Sequence, residues 1–301
     1  MGLSGIFPVL PTPFDRTGVA DEAALRRLVR YVVRSGADGT TYPGVASEVG
    51  DLSTDERLCL VEVVLDELGG RVPLIVGISS TDPETSIMLG RHAVERGAAA
   101  LMVAAPADRN DIAGQIAFFE ALATQLSAPL MLQNVPPPAG AGLAPEAMLE
   151  IVSAVPSIAY VKEETLPSGQ RLTQLRQSAP GTLLGVFGGA GGRYITDELR
   201  RGAAGSMPAV ELAEVHAAVM AAHRANDARR VRELFMRMLP VLNVQAVFRW
   251  ALTKHVLAQR GLLACTRQRA AGPALDDWDR GDVDAFVGDL ADLLLPAKAI
   301  P

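Results

Sequence analysis

Short apolar runs alternate with longer amphipathic segments through the first 210 residues of the chain. The runs are rich in strand-forming residues and are bounded by proline or glycine, whereas the segments between them repeat apolar positions at helical spacing. The predicted strands are 5–10, 38–44, 72–77, 98–105, 129–135, 157–165, 183–187 and 204–210. Eight strand and helix units, spaced by roughly 25 to 30 residues, predict an α/β fold of the (β/α)₈ TIM-barrel class. A doubly wound sheet followed by helices is the alternative architecture.

Capping residues mark the starts of the predicted helices. Asp21 precedes the first helix as an N-cap, and Ser53 with Glu56 forms a capping box before the second. Asp82 followed by Pro83 places an N-cap and a first-turn proline at the start of the third. These local signals agree with the strand and helix alternation.

After residue 210 the periodicity is wholly helical. It predicts four helices, over 213–224, 227–239, 243–260 and 281–294. This is more helix than an eighth barrel helix requires, so we expect 1–210 to form the barrel and 211–301 to supply its final helix and a C-terminal helical extension. The extension is expected to cover the barrel or to meet a neighbouring subunit. No linker rich in glycine, serine or charge separates the two parts, which predicts one compact unit.

Charge and hydropathy exclude several classes of function. The net charge of −6 is spread along the chain, and no basic face or polybasic segment indicates binding to nucleic acid or to a membrane. No apolar run reaches the ~18 residues of a membrane span. Residues 1–14 lack a basic region followed by an apolar one, so we expect no signal peptide and a cytoplasmic protein.

Cysteine and histidine give no metal or disulfide signal. Cys59 and Cys265 lie far apart and form no CxxC motif, which indicates neither a disulfide framework nor a zinc site. The four histidines all fall within helical patterns: His92, His216, His223 and His255. We interpret them as surface or packed residues and expect no metal.

A lysine lies near the end of the sixth predicted strand. The chain has 28 lysines and arginines together, and only Lys162, Lys254 and Lys298 are lysines. Arginine stays protonated, whereas a desolvated lysine can lose its proton and attack a carbonyl, so Lys162 is a candidate nucleophile. The alternative is a lysine that pairs with Glu163 or Glu164.

The active site of a barrel lies at the carboxyl ends of its strands. That rule selects seven short stretches, at 11–13, 44–48, 79–80, 133–134, 162–164, 188–189 and 207–208. The glycine-rich stretch 188–192 lacks the lysine and the following hydroxyl of a phosphate-binding loop. We therefore expect its backbone to approach a substrate.

Four motifs follow one another along the chain. They are Gly-Ile-Phe-Pro-Val-Leu-Pro-Thr-Pro-Phe at 5–14, Asn-Val-Pro at 134–136, Val-Lys-Glu at 161–163 and a glycine, Gly205, before the eighth strand. Together with the helical tail, they resemble the dihydrodipicolinate synthase and N-acetylneuraminate lyase superfamily over about residues 5–294. The resemblance implies that Lys162 forms an iminium with the keto carbon of a 2-oxo acid such as pyruvate, without a separate cofactor. It also implies a homotetramer built as a dimer of dimers.

The second strand end departs from the pattern of that family. Where the family has Gly-Thr-Thr-Gly-Glu, this chain has Gly-Val-Ala-Ser-Glu at 44–48, so both relay hydroxyls are absent. The amides of Val45 and Ala46 and the hydroxyl of Ser47 could still hold a carboxylate by hydrogen bonds.

Other departures affect the proton relay and the synthase's arginine. Gln133 replaces the family's relay tyrosine, and a glutamine can orient a water or a hydroxyl but cannot act as a general acid or base. Pro138 stands where synthases of the family have an arginine, and the stretch 104–110 contains no tyrosine. Glu48 and Glu164 are the remaining titratable groups near the site, and each could be structural or catalytic.

We therefore expect two groups of site residues. The expected catalytic residues are Lys162, Gln133 and Ser47. The expected substrate-binding residues are Val45, Ala46, Gly188 and Met207.

The departures resemble the branch of 2-keto-3-deoxy-sugar-acid dehydratases, notably the L-2-keto-3-deoxyarabonate dehydratases. An iminium makes the C3 proton acidic, and the resulting enamine can expel the C4 hydroxyl as water. Aldol cleavage instead requires deprotonation of that hydroxyl, the usual task of the missing tyrosine. We expect a lyase that dehydrates such an acid. The alternatives are a retro-aldolase or a dihydrodipicolinate-synthase-like condensing enzyme, and a non-catalytic 2-oxo-acid-binding protein.

Overall fold

Eight parallel strands form a nearly closed barrel in the computed structural model, which describes residues 2–109 and 111–300. Met1, Asn110 and Pro301, which fall within stretches discussed above, lie outside the described residues. The strands are β1 (Gly5–Ile6), β2 (Thr40–Thr41), β3 (Leu74–Gly77), β4 (Ala100–Ala104), β5 (Leu130–Asn134), β6 (Ile158–Glu163), β7 (Gly185–Gly188) and β8 (Gly205–Ser206).

The strand order establishes the barrel. Each strand pairs in parallel with the next along the chain from β2 to β8, and β8 pairs with β1. Val9 then bridges both to Thr41 at the end of β2 and to Ala209 beyond β8, which brings the two edges together. The predicted TIM barrel is confirmed, and the doubly wound alternative is excluded.

Seven helices follow the first seven strands in turn. They are α1 (Glu22–Arg34), α2 (Thr54–Leu68), α3 (Pro83–Glu95), α4 (Ile112–Gln125), α5 (Pro145–Ala154), α6 (Ser168–Ser178) and α7 (Ile195–Arg200). The predicted caps are present: the Asp21 carboxylate accepts from the Ala24 amide at 2.9 Å, and Ser53 forms its capping box with Glu56.

The C-terminal part is helical, but the predicted break in its middle and both ends of its last predicted helix were wrong. It contains α8 (Ala213–Arg224), α9 (Ala228–Phe248), α10 (Trp250–Gln259) and α11 (Asp277–Gly288). The break expected near residue 240 lies at Arg249, because α9 continues through Pro240 with Val241 and Leu242 buried beyond it. The last helix begins at Asp277, after the capping residue Asp276, rather than at 281, and it ends at Gly288 rather than at 294.

The barrel has a packed interior that becomes polar at its carboxyl end. Side chains of alternate strand residues fill the inside: Phe7, Val9, Ile75, Met102, Met131, Tyr160, Phe187 and Met207. A larger apolar layer lies between the strands and the surrounding helices. Because strand side chains alternate, Tyr160, Lys162 and Glu164 share the inward face of β6 and its end. No helix of the described residues is long and apolar enough to cross a membrane.

Candidate active site

A cavity of about 340 Å³ lies at the carboxyl ends of the strands. Its floor includes Lys162 and Glu164 from β6 and the residue that follows it. The walls come from the turn after β2, the loop after β5 and the loop after β7, and include Val45, Ala46, Pro136, Pro138, Ala190, Gly191 and Arg193. The remaining side comes from α9 and α10, through Gln245, Arg249, Trp250 and Thr253. The C-terminal extension therefore covers the barrel mouth, one of the two expected arrangements.

Lys162 is almost fully buried, with 5% of its side chain exposed, and its amine faces a carboxylate. The Nζ atom lies 2.9 Å from Oε1 of Glu164. Gln133 is directly opposite Lys162 in the register of β5 and β6, and its Nε2 donates to Glu164 Oε2 at 3.1 Å. The Ala190 amide donates to Oε1 at 3.2 Å. Glu164 thus joins the two residues that the sequence selected as nucleophile and orienting amide.

The ionisation of Glu164 reflects these contacts. Burial alone would raise the pKa of this carboxyl. The Lys162 ammonium and the Gln133 and Ala190 donors outweigh burial, and they hold the pKa of Glu164 below its usual value. The floor of the cavity therefore carries an ionised carboxylate beside the amine.

Ser47 stabilises the turn after β2 from behind. Its side chain is fully buried, and its hydroxyl donates to the Leu10 carbonyl at 2.5 Å while accepting from the Gly44 amide at 2.8 Å. Thr12 Oγ1 donates to the Ser47 carbonyl at 2.7 Å. These contacts use the hydroxyl of Ser47 within the protein, and Ser47 is not among the residues described as lining the cavity.

The amides of Val45 and Ala46 have the geometry expected for an anion site. These two residues begin a 3₁₀ turn over Val45–Ser47, and the first amides of such a turn have no partner inside it. Both residues line the cavity. The turn is also held from above, because Trp250 Nε1 donates to the Val45 carbonyl at 2.8 Å.

Gly188 and Met207 differ in their relation to the cavity. Met207 is buried and lines it. A side chain at Gly188 would point the other way, because a Cβ there would lie 1.8 Å from Oε2 of Glu198 on α7. Glu198 is buried behind β7, and burial raises its pKa to about 7. Gly188 thus allows close packing of α7 on the barrel.

Asn134 and Glu163 face outward and fix the loop after β5. Asn134 Nδ2 donates to Glu163 Oε2 at 3.0 Å and to the Leu143 carbonyl at 3.0 Å. The Leu143 amide donates back to Asn134 Oδ1 at 2.7 Å. The nearest base to the Lys162 amine is therefore Glu164, while Glu163 pairs with Arg171 at 3.2 Å on the other face.

The remaining candidates, Glu48 and the histidines, are not among the residues described as lining the cavity. Glu48 pairs with Lys254 in the interior. His216 is packed as expected: burial lowers its pKa to about 4, and its Nδ1 donates to the Leu212 carbonyl at 3.0 Å. Among residues 2–109 and 111–300, no group of three or more histidine, cysteine or acidic side chains is arranged to hold a metal ion.

Several cavity residues were missed by the sequence reasoning. They are Arg193, Gln245, Arg249, Trp250 and Thr253. Four of them belong to the helical tail, where the helical periodicity gives no indication of which turns face the barrel mouth. Only the position of Arg193, just beyond the glycine-rich stretch at a strand end, offered a usable signal.

Comparison with known proteins decides the family. Residues 2–277 match the sequence profile of the dihydrodipicolinate synthetase family. The chain belongs to this family. Among its curated relatives are the 4-hydroxy-tetrahydrodipicolinate synthases of Maridesulfovibrio salexigens, 30% identical over 82% of this chain and 84% of that protein, and of Erythrobacter litoralis, 32% identical over 79% and 81%. The Bacillus subtilis enzyme is 34% identical, but the alignment spans 54% of this chain and only 57% of the Bacillus chain.

Solved structures of the dihydrodipicolinate synthetase family share the whole architecture. Dihydrodipicolinate synthase from Rhodopseudomonas palustris superposes with a TM-score of 0.89 at 27% identity, covering 96% of this chain and 98% of that one. The 4-hydroxy-tetrahydrodipicolinate synthase from Methylacidiphilum fumariolicum gives a TM-score of 0.88 at 21% identity over 99% of both chains. The helical extension is therefore part of the shared fold.

Proposed function

We propose that this protein is a Schiff-base-forming lyase that removes water from a 2-keto-3-deoxy sugar acid. The observation that carries the proposal is the pair of Lys162 and Glu164 on the floor of the cavity, with Lys162 Nζ 2.9 Å from the carboxylate. The buried Gln133, which is not among the described lining residues, donates to the same carboxylate at 3.1 Å. The amine is the nucleophile, the carboxylate moves protons, and the amide orients the leaving group.

The first stage forms the iminium. Glu164 accepts a proton from the Lys162 ammonium, and the free amine attacks the C2 carbonyl to give a carbinolamine. The carbinolamine hydroxyl takes a proton from Glu164 and leaves as water. The lysine nitrogen then carries the positive charge of an iminium, and Glu164 is again a carboxylate.

The second stage eliminates water from the sugar acid. Because the iminium withdraws electrons from C3, Glu164 can remove the C3 proton to give an enamine. The enamine expels the C4 hydroxyl, which leaves as water with the proton held by Glu164, while Gln133 orients it by a hydrogen bond. Hydrolysis of the conjugated iminium returns the free lysine and the product.

The polar groups of the cavity favour elimination over aldol cleavage. Cleavage needs a group that removes the proton of the C4 hydroxyl, usually a tyrosine in this family. Among the described lining residues, Thr253 is the only one with a hydroxyl, and it donates to Glu211 Oε2 at 3.1 Å. The stretch 104–109, as described, supplies no tyrosine either.

The substrate's own carboxylate is assigned to the turn after β2. Val45 and Ala46 line the cavity, and their amides, which have no partner within the turn, are assigned as donors to the two carboxylate oxygens. Ser47 acts as a positioning residue, because its hydroxyl fixes the start of this turn. Met207 contributes an apolar surface beside the substrate. Assembly as a homotetramer stays a prediction, which light scattering coupled to gel filtration would test.

A condensing enzyme is the second candidate, because the curated relatives that cover most of the chain are 4-hydroxy-tetrahydrodipicolinate synthases. Pro138, which stands in place of the synthase arginine, lines the cavity. We expect no condensation of pyruvate with aspartate semialdehyde in a coupled reductase assay. A robust rate there would replace the dehydratase assignment with the synthase one.

A substrate screen tests the proposal. A set of 2-keto-3-deoxy acids is incubated with the wild type and with Lys162→Ala, and the loss of water and the release of pyruvate are measured on each. We expect dehydration by the wild type alone. Pyruvate and an aldehyde as the main products would show a retro-aldolase. If pyruvate gives no borohydride-trapped adduct, the protein lacks a competent amine, and a non-catalytic 2-oxo-acid-binding protein would be the remaining assignment.

A further inference from the structure

Two arginines line the same cavity as Lys162, on the walls that the helical tail and the loop after β7 provide. Arg193 follows the 3₁₀ turn Ala190–Gly192, and Arg249 stands at the break between α9 and α10. Neither forms an ion pair with an acidic side chain within the part of the chain that the structure describes. The proposed dehydration uses neither of them.

The charge of the cavity wall is strongly positive for so acidic a protein. The charged residues among those described as lining it are Lys162, Glu164, Arg193 and Arg249, which carry three positive charges and one negative charge. The whole chain, by contrast, has a net charge of −6. Conversion of Lys162 to an iminium leaves its positive charge in place. A substrate with one carboxylate would therefore leave an uncompensated positive charge in the cavity.

Both arginines are held in position by neutral groups. Arg193 Nη1 donates to Gln245 Oε1 at 3.0 Å, and the Arg249 guanidinium lies 5.8 Å from the ring centre of Trp250. Neither an amide oxygen nor an indole ring neutralises a guanidinium, so both keep their full charge for a ligand. A Cβ at Gly191 would lie 2.7 Å from Gln245 Oε1, which shows how closely the loop and α9 approach each other.

The backbone at Arg249 supports a functional role. Its φ of 42° and ψ of −110° place a non-glycine residue in a sparsely populated region. Such strain persists where the surrounding structure imposes it, and it is frequent at ligand sites. Here the unusual backbone interrupts one long helical segment at the residue whose side chain reaches the cavity.

We infer that Arg193 and Arg249 form a subsite for a second, distal carboxylate, so that the substrate is a dicarboxylic 2-oxo acid. The inference rests on the proposed function, because it assumes that Lys162 bonds to C2 and that the turn after β2 holds the C1 carboxylate. The planar guanidinium matches a carboxylate through two parallel hydrogen bonds. The substrate class is thus the 2-keto-3-deoxy acids that end in a carboxylate rather than in a hydroxymethyl group.

Two commercial 2-oxo acids of equal length provide the test. The probe 2-oxoglutarate ends in a carboxylate, whereas 2-oxopentanoate ends in a methyl group, and each can form an iminium with Lys162. Borohydride trapping is measured by intact mass over a range of concentrations. We expect 2-oxoglutarate to trap at concentrations at least about tenfold lower than 2-oxopentanoate, with a preference that weakens as salt is added.

Variants of the two arginines test whether these residues cause the preference for 2-oxoglutarate. Arg193→Gln with Arg249→Gln should reduce trapping by 2-oxoglutarate about tenfold or more, with little change for 2-oxopentanoate or pyruvate. Arg193→Lys and Arg249→Lys should retain part of the preference, because they keep the charge. Arg232→Gln is the matched control, since this exposed residue is on α9 but not among the cavity residues.

Failures of the two proposals are distinguishable. Equal trapping of both acids by the wild type would overturn the distal subsite while leaving the Schiff base intact. A similar loss for all three acids in the double variant would also overturn it, since the arginines would then bind the C1 carboxylate. If no acid is trapped at all, the Schiff base fails. Calorimetric titration of both acids into Lys162→Ala would still decide the subsite, with equal affinities counting against it.

Discussion

Lys162 and Lys254 each pair with a glutamate inside the protein, and the two pairs differ in the space around them. Lys162 Nζ lies 2.9 Å from Glu164 Oε1 at the floor of the cavity, and 13% of the Glu164 side chain is exposed. Lys254 Nζ lies 2.5 Å from Glu48 Oε1, and neither of these side chains is exposed. The ring of Phe14 covers the Lys254 amine at 4.3 Å.

The second pair makes further structural contacts. Glu48 Oε2 accepts from the amides of Arg269 and Ala270 at 2.6 and 2.8 Å, and Lys254 donates to the Arg267 carbonyl at 2.7 Å. Burial lowers the pKa of Lys254, and Glu48 offsets this effect only in part. Burial and a carboxylate partner are common to both lysines, so these two features do not by themselves indicate a reactive amine. The cavity that Lys162 lines distinguishes it from Lys254 and supports its proposed role as the nucleophile.

The largest expected effect is on turnover, from Lys162→Arg. Arginine keeps the positive charge and much of the contact with Glu164, but it cannot lose a proton to become a nucleophile. We expect the rate to fall at least about a hundredfold, with the folded structure unchanged by circular dichroism. Lys298→Arg, at the exposed third lysine, is the control and should behave as wild type. Activity above a few per cent of wild type would remove the Schiff base from the mechanism.

The second largest effect is expected for Lys254→Met, which should lower the stability of the fold. Removing one partner of a buried pair leaves the Glu48 charge unpaired, so we expect the free energy of unfolding to fall by about 3 to 5 kcal/mol in urea denaturation. Lys298→Met should change it by less than about 0.5 kcal/mol, because that side chain is exposed. The rate per folded molecule should stay close to wild type under conditions where the variant remains folded.

A double variant sharpens this result. Glu48→Leu with Lys254→Met removes both charges, so part of the lost stability should return, although the amides of Arg269 and Ala270 then lose their acceptor. If the stability losses of Glu48→Leu and Lys254→Met simply add in the double variant, the two side chains have no coupling energy. That result would contradict a stabilising ion pair between them.

The sequence predicted the barrel well because its signals are local. Apolar strand runs and capping residues such as Asp21 each act within one strand and helix unit. The order of these units along the chain then indicates the architecture. The break between α9 and α10 was placed wrongly because a proline is a local helix breaker, whereas the packing of α9 beyond Pro240 is tertiary. The strained conformation of Arg249 has no signature in the sequence.

The site was predictable only where the strands carry it. The proximity of Lys162 and Gln133 could be predicted because neighbouring strands bring their carboxyl ends together, and that of Glu164 because it shares the face of Lys162. The partners of Ser47, by contrast, include Leu10, which lies 37 residues away along the chain. Lys254, one of only three lysines in the chain, pairs with Glu48 in the interior, so scarcity alone does not identify a nucleophile.

A smaller effect is expected from Gln133→Ala. This change removes one donor to Glu164 and the group that orients the leaving hydroxyl, so kcat should fall roughly ten- to a thousandfold while pyruvate trapping is preserved. Gln133→Tyr should give little aldolase activity, because Val45 and Ala46 supply no hydroxyl to complete a relay. Measuring pyruvate release and water loss on one substrate separates the two reactions. Efficient pyruvate release by the wild type would show that another group carries the C4 proton.

The smallest expected effect is on the acid side of the pH profile. Because its contacts hold the pKa of Glu164 below the usual 4.5, this carboxylate stays ionised above that pH and is lost as a base only when the pH falls through the lowered value. We therefore expect kcat/KM to change by less than about twofold between pH 5 and 7 on account of the base. If Glu211 were the base instead, the pH profile would differ. This carboxylate accepts from the cavity residue Thr253, and burial raises its pKa to about 7, so it would be lost as a base when the pH falls through 7. A rate that falls as the pH drops through 7 in the wild type, but not in Glu211→Gln, would move the proton transfer to Glu211. The lysine and glutamate pair in the cavity would then be as structural as the one beneath Phe14.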